Sequence, residues 1–307
     1  MRSPWREKRC SWWDETMNTS RAASPPDDFI SLTTPSDPAT PPRLPLTWWG
    51  ITVRGVVAVV IVLGATFIPL GLMLVTGVSD QPVVAGLQRF GLSAINCVLA
   101  FLAVWAWMRY AERRPFAATG FGGAKVVTGL VAGTVAAGAL VLLAHLIGIA
   151  LGMATGEMPE EFPSESAAVN IGAVFELAGF AFLLQGIPEE LVFRGWLLRS
   201  TPGRPWLGFW WSTGVFTVMH LLSQAGQEGI VDHLLYLVTS FGIAVFAAAC
   251  AMRWGNGWIA AGIHSGFHVG TLIATYTLPP IEPRVMWVLP GVLFTIAAGA
   301  LLRGATR

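Results

Sequence analysis

From residue 52 onward the chain reads as long apolar blocks broken by short polar stretches. The blocks are 52–77, 84–108, 125–152, 169–199, 206–223, 234–252, 257–277 and 285–302. A helix needs roughly 20 apolar residues to cross the hydrocarbon of a bilayer, and only helices or closed barrels satisfy their backbone there. The pattern predicts an all-α, polytopic membrane protein of about eight transmembrane helices. The fourth block is too long for one simple span and carries Gly186-Ile187-Pro188. A proline inside a helix removes a backbone hydrogen bond, so a kink is expected there. Gly129, Gly133 and Ala137 form a small-residue stripe in the third block, a pattern that lets two helices approach closely. Trp48, Trp49, Trp107, Trp206, Trp254 and Trp287 fall near block ends, where an amphipathic ring prefers to sit.

Residues 1–46 break this pattern. They are rich in Pro, Ser, Thr and Asp, as in Ser24-Pro25-Pro26-Asp27-Asp28, and cannot bury enough apolar surface to fold. They are expected to be a disordered cytoplasmic tail on a membrane domain of 47–307, with Trp12 and Trp13 at most touching the membrane surface. The basic start (Arg2, Arg6, Lys8, Arg9) meets no apolar region until about residue 55, so no cleavable signal is expected. Arg109, Arg113, Arg114, Lys125, Arg199, Arg204, Arg253, Arg303 and Arg307 fall on the same side as that tail. The opposite side has only Arg89 and Arg284, and collects Glu157, Glu160, Glu161, Glu165, Glu228 and Asp232. The positive-inside rule then puts both termini in the cytoplasm and the protein in the cell membrane.

Composition agrees. Hydrophobic residues make up 54% and charged residues 12%, against about 25% charged in a soluble domain. A net charge of +1 gives no reason to expect nucleic acid as a partner; membrane lipid is the expected surrounding. Cys10, Cys97 and Cys250 lie far apart with no CxxC pair, so neither a thiolate metal site nor a disulfide framework is suggested.

Ionisable groups at membrane depth are expensive and are usually functional. The fourth block holds Glu189, Glu190 and Arg194, the fifth ends in Phe216-Thr217-Val218-Met219-His220, and the seventh holds His264 and His268. Glu190 and Arg194, four apart, share a helix face and can pair. Glu189 points about 100° away, free to act on water as a general base. Helical rise places Glu189 ~15 Å from the Arg199 end of its block, His264 and His268 ~11 and ~17 Å from Gly257, and His220 ~21 Å from Trp206. Four groups from three spans thus fall in one layer. Two chemistries fit. Glu189, His220, His264 and His268 could supply the ligands of a divalent metal such as zinc, with a position left for water. Alternatively Glu189 and His220 activate water while His264 and His268 donate to the oxyanion of a tetrahedral intermediate. Either way a peptide bond is hydrolysed. No Gly-x-Ser-x-Gly elbow and no HExxH helix is present.

The order EExxxR, FxxxH, then a late HxxxH resembles the CPBP intramembrane proteases, the CAAX prenyl endopeptidase and bacteriocin-processing (Abi) family. Pro188 to Arg199, PEELVFRGWLLR, is close to that family's signature, and Phe216 to His220 matches its second motif. The likeness covers about 170–275, giving a protease core of about 169–277. It implies that Glu189 activates water, Glu190 and Arg194 support it, His220 shares the water and His264 serves the oxyanion. The family usually has Asn or Asp where this chain has His268. The implied substrate is a peptide or the tail of a membrane-anchored protein, reached through a cavity open to the cytoplasm. The competing readings are a proton-coupled membrane transporter and a non-catalytic scaffold of the same fold. Glu176 is expected at the outer interface and His145 in packing or a hydrogen bond. Asp232 and His233 are expected in a solvated loop, and Ser265 bonded to the preceding turn. Gln185 and Asn256 could line a polar cavity, but nothing selects them.

Overall fold

The computed structural model describes residues 41–157, 167–223 and 226–304. Most of the expected tail lies outside them, including Arg2, Arg6, Lys8, Arg9, Cys10, Trp12, Trp13 and the Ser24–Asp28 stretch, as do Glu160, Glu161, Glu165 and Arg307. Nine α-helical elements occur among the described residues: α1 Trp48–Thr76, α2 Pro82–Trp107, α3 Val126–Ala150, α4 Ala167–Ala178, α5 Ile187–Glu190, α6 Pro205–Met219, α7 Ile230–Trp254, α8 Gly257–Thr277 and α9 Pro283–Gly304. A π segment, Gly179–Gly186, joins α4 to α5, and another, Leu191–Trp196, follows α5, so 167–199 form one continuous rod. Eight helical rods result, as the apolar blocks predict.

Six stretches are long and apolar enough to cross a membrane: Trp48–Thr76, Pro82–Glu112, Phe116–Ala150, Asn170–Arg199, Ile230–Trp254 and Pro283–Arg303. The count of eight spans is corrected to this extent, because α6 and α8 are not among them. α6 has 15 residues, about 22 Å of helix against ~30 Å of hydrocarbon. α8 is long enough, but Gly262, His264, Ser265, Gly266, His268 and Gly270 dilute its apolar character. Those residues suit a helix enclosed by protein. Gly257, Ala260 to Gly266 and Gly270 are all buried, and α8 packs on α3, α7 and the rod.

The α3–α8 seam is where the small-residue stripe acts. A Cβ on Gly133 would meet the backbone of Gly262 and Ile263, and one on Gly262 the backbone of Gly129 and Gly133. Only hydrogen at these positions lets the two backbones touch.

The chain does not simply bend at Pro188. Proline offers no N–H to the carbonyl four residues back, and the π segment Gly179–Gly186 spreads that defect over a wider turn. Asn96 of α2 then donates its amide to the carbonyls of both Leu183 and Leu184 at 3.1 Å. Backbone groups freed at membrane depth must find such partners.

One end of the bundle gathers the 108–125, 199–205 and 254–257 connections. Here Arg54, fully buried, places all five N–H groups. Nε and one Nη reach the Glu112 carboxylate at 2.7 and 2.9 Å, and the others reach the carbonyls of Leu44, Pro45 and Gly50. Glu112 also accepts from the indoles of Trp107 and Trp196. Arg54 is thus a clamp joining α1, α2 and the rod. At the other end Thr155 donates its amide to Pro280, and Glu282 donates to Met153. His145 donates Nε2–H to the Pro279 carbonyl at 2.7 Å, the hydrogen bond expected of it. Arg89 pairs with Glu176, which is exposed as expected, and Arg284 with Asp232. Asp232 and His233 lie in the first turn of α7, and Asp232 is buried. That corrects the solvated loop expected for them.

Candidate active site

The rod, α6 and α8 bring the singled-out residues together. Glu189 and Glu190 close α5, and Arg194 lies one turn on in the following π segment. His220 opens the short 3-10 turn that ends α6. His264 and His268 lie one turn apart on α8. α8 can reach the rod because Gly186 has no side chain: a Cβ there would collide with Ser265 Oγ and with the carbonyls of Ala181 and Ala261.

Glu190 is the hub. Its Oε1 accepts from Arg194 Nη1 at 3.0 Å, the i,i+4 pair expected from spacing, and both side chains are fully buried. The same oxygen lies 3.3 Å from His264 Nδ1, near but not aligned as a hydrogen bond. The Arg194 guanidinium sits 4.3 Å from the centre of the Phe216 ring, an electrostatic contact with the ring face. Phe216 in turn packs edge-on against Phe193 and His264 and lies 4.3 Å from the His220 ring. One aromatic residue therefore separates and orients the arginine and two histidines.

Glu189 is different. It is 7% exposed, and its Oε2 is buried without a partner. Its electrostatic neighbours are Glu190, Arg194 and Tyr236. With Glu190 committed to Arg194, the second carboxylate is left uncommitted.

His220 Nδ1 lies 2.8 Å from the Phe216 carbonyl. A carbonyl only accepts, so Nδ1 carries the proton and Nε2 presents a lone pair. His264 and His268 stack with ring centres 5.3 Å apart. His268 is also held edge-on by Phe180 and Phe267, and its Nε2 is buried without a partner.

Among the described residues, no group of three or more His, Cys, Asp or Glu could hold a metal ion. Glu189, His220, His264 and His268 do not form the zinc set weighed from sequence. His264 turns Nδ1 toward Glu190 and stacks on His268.

Residues 171–270, which hold every one of these side chains, match the family model described as type II CAAX prenyl endopeptidase Rce1-like. This part of the chain is similar to the CPBP family of CAAX proteases. The CAAX protease match takes in the rod from its fifth residue, α6, α7 and α8 as far as Gly270, and leaves α1 to α3 and α9 outside it. No curated protein and no solved structure matches the chain. The match, together with the apolar helices, supports a membrane protease.

Several residues around this centre were not singled out in the sequence. Asn96 has a signal, being the only Asn in its apolar block. Glu112 has less, sitting among the loop charges. Tyr236 is the one tyrosine of three not classed as exposed; Tyr110 and Tyr276 are 58% and 43% exposed. It bonds Ser223 and stacks loosely on His220 at 6.4 Å. Ser265 departs from expectation: its hydroxyl is buried without a partner. Asn256 caps α8, its Oδ1 accepting from the Trp258 amide at 3.0 Å.

Proposed function

We propose that the chain is an intramembrane endopeptidase of the CAAX type, with water activated by Glu189 and His220. The observation that carries this reading is the division of labour between adjacent carboxylates. Each keeps one buried oxygen without a partner, but Glu190 commits its Oε1 to Arg194, whereas Glu189 makes no ion pair with it. A carboxylate held in a poorly hydrated pocket is poised to take a proton from water.

The steps balance without a cofactor. Water, oriented by the His220 Nε2 lone pair, attacks the scissile carbonyl carbon and gives its proton to Glu189. The carbonyl oxygen becomes an oxyanion, which His264 and His268 stabilise through ring N–H groups. The intermediate collapses, the C–N bond breaks, and Glu189 returns the proton to the leaving amine. Glu190 and Arg194 hold the rod and α8 in register and fix the charge around Glu189. The substrate is the tail of a membrane-anchored protein or peptide. Both termini face the cytoplasm, a reading supported by the pairing of Arg89 and Arg284, the two basic residues of the opposite side, with acids.

The test uses detergent-purified protein and a farnesylated peptide ending in a CAAX sequence, beside the same peptide without the lipid. Wild type is expected to release a C-terminal fragment. Glu189→Gln is expected to lower kcat by about 10²–10⁴-fold with unchanged membrane insertion. An equally active Glu189→Gln variant would sink the mechanism. Cleavage of neither peptide by wild type would sink the CAAX specificity.

A further inference from the structure

Behind the site, on another face of α8, lies a groove of about 420 Å³. Its walls are α3 and α7 and its floor is α8, at Ile259 and Ile263. Ala132 and Ala136 on the α3 wall are exposed, so the groove opens sideways from the bundle, where a membrane protein meets acyl chains. The interior is apolar, lined by Phe246 of α7 as well as the two alanines. Its mouth is not. Exposed Lys125 lies there, beside Asn256. These two residues immediately precede α3 and α8, so two helix N-termini, each carrying partial positive charge, open at the same place.

An apolar slot whose entrance carries a lysine and two helix N-termini matches a molecule with a hydrocarbon tail and an anionic head. We infer that this groove binds an anionic phospholipid of the surrounding leaflet. One acyl chain lies along Ala132, Ala136 and Ile259, and the phosphate meets Lys125. Basic pockets between membrane helices are a recurring way of holding such headgroups. The charge argument commits the groove to this occupant: in a zwitterionic lipid the headgroup cation offsets the phosphate that Lys125 meets, and an anionic lipid has no such offset. The bound lipid braces α8 from the side opposite the rod, and so backs the helix that carries His264 and His268. The inference does not rest on the proposed protease mechanism.

The experiment is native mass spectrometry of full-length protein in detergent, titrated with phosphatidylglycerol or with phosphatidylcholine of the same chains. Wild type is expected to retain one phosphatidylglycerol under conditions that strip phosphatidylcholine. Lys125→Gln should lower that retention about fivefold, the equivalent of one basic contact. Ala132→Phe should abolish it by filling the groove. Both positions are exposed, and thermal unfolding of each variant checks that the fold is kept. Equal retention of the two lipids would overturn the assignment. So would no retention by wild type, or wild-type retention in both variants.

Discussion

His264 on α8 and Glu190 on the rod meet through Nδ1 and Oε1 at 3.3 Å, and the same oxygen holds Arg194. A single carboxylate therefore bridges two helices that must keep their spacing for the candidate chemistry. Removing it strands a buried guanidinium, since Arg194 already has Nε and an Nη without partners. Glu190→Ala is expected to cost about 3–5 kcal/mol of stability, read from denaturant unfolding in micelles. Unchanged stability would mean that the Phe216 ring alone compensates Arg194.

Asn96 supports the break at Pro188 from outside the rod. Asn96→Leu keeps the volume but leaves the Leu183 and Leu184 carbonyls bare. The expected loss is about 1–3 kcal/mol, with a matching drop in cleavage because α5 carries Glu189. A variant as stable as wild type would show that those carbonyls find other donors.

The Arg54–Glu112 pair is buried and fully bonded, so its halves should depend on one another. Arg54→Ala alone is expected to destabilise by about 3–5 kcal/mol, whereas Arg54→Met with Glu112→Leu should recover most of it. A double-variant cycle on unfolding midpoints measures the coupling. Simple additivity would show the clamp to be two independent contacts.

Ser265 is the reverse case, a buried hydroxyl with nothing to bond. Ser265→Ala should leave stability unchanged or raised, and cleavage within a few-fold of wild type. A hundredfold fall in kcat with normal stability would instead place the hydroxyl among the reacting groups.

His268 stands where the resembled family usually carries Asn or Asp. If it serves the oxyanion as an N–H donor, His268→Asn should keep cleavage within about tenfold. His268→Phe, which keeps the ring packing with Phe180 but loses the donor, should lose about 10²–10³-fold in kcat. Equal activity of the Phe variant would remove His268 from the reaction.

Much of this was legible in the sequence. Glu190–Arg194 pairing follows from spacing alone. The gathering of His220 and His264 around the glutamates follows from counting helical rise in separate blocks. Close α3–α8 packing follows from Gly129 and Gly133. What escaped has a common cause: it depends on which side chains meet across long sequence separations. Asn96 lies 87 residues from Leu183, and Arg54 lies 58 from Glu112. Block length alone likewise reads α8 as another span, although its glycines, histidines and serine lower its hydropathy below that of the six long apolar stretches. The length of α6 was overestimated because Leu221 and Leu222 continue its apolar run past the helix end.

The π segments around Pro188 make the rod sensitive to counting as well as to chemistry. A π turn is an α-helix that carries one residue more than its pitch accommodates. Deleting a single residue within 179–186 would let the segment relax to ordinary helix, and would turn everything beyond it by about 100° relative to α4. Glu189, Glu190 and Arg194 would keep their order and their mutual spacing, yet face away from α8. The phase of this motif is thus written in the number of residues before it, and a shift in that number would silence it without altering one of its letters.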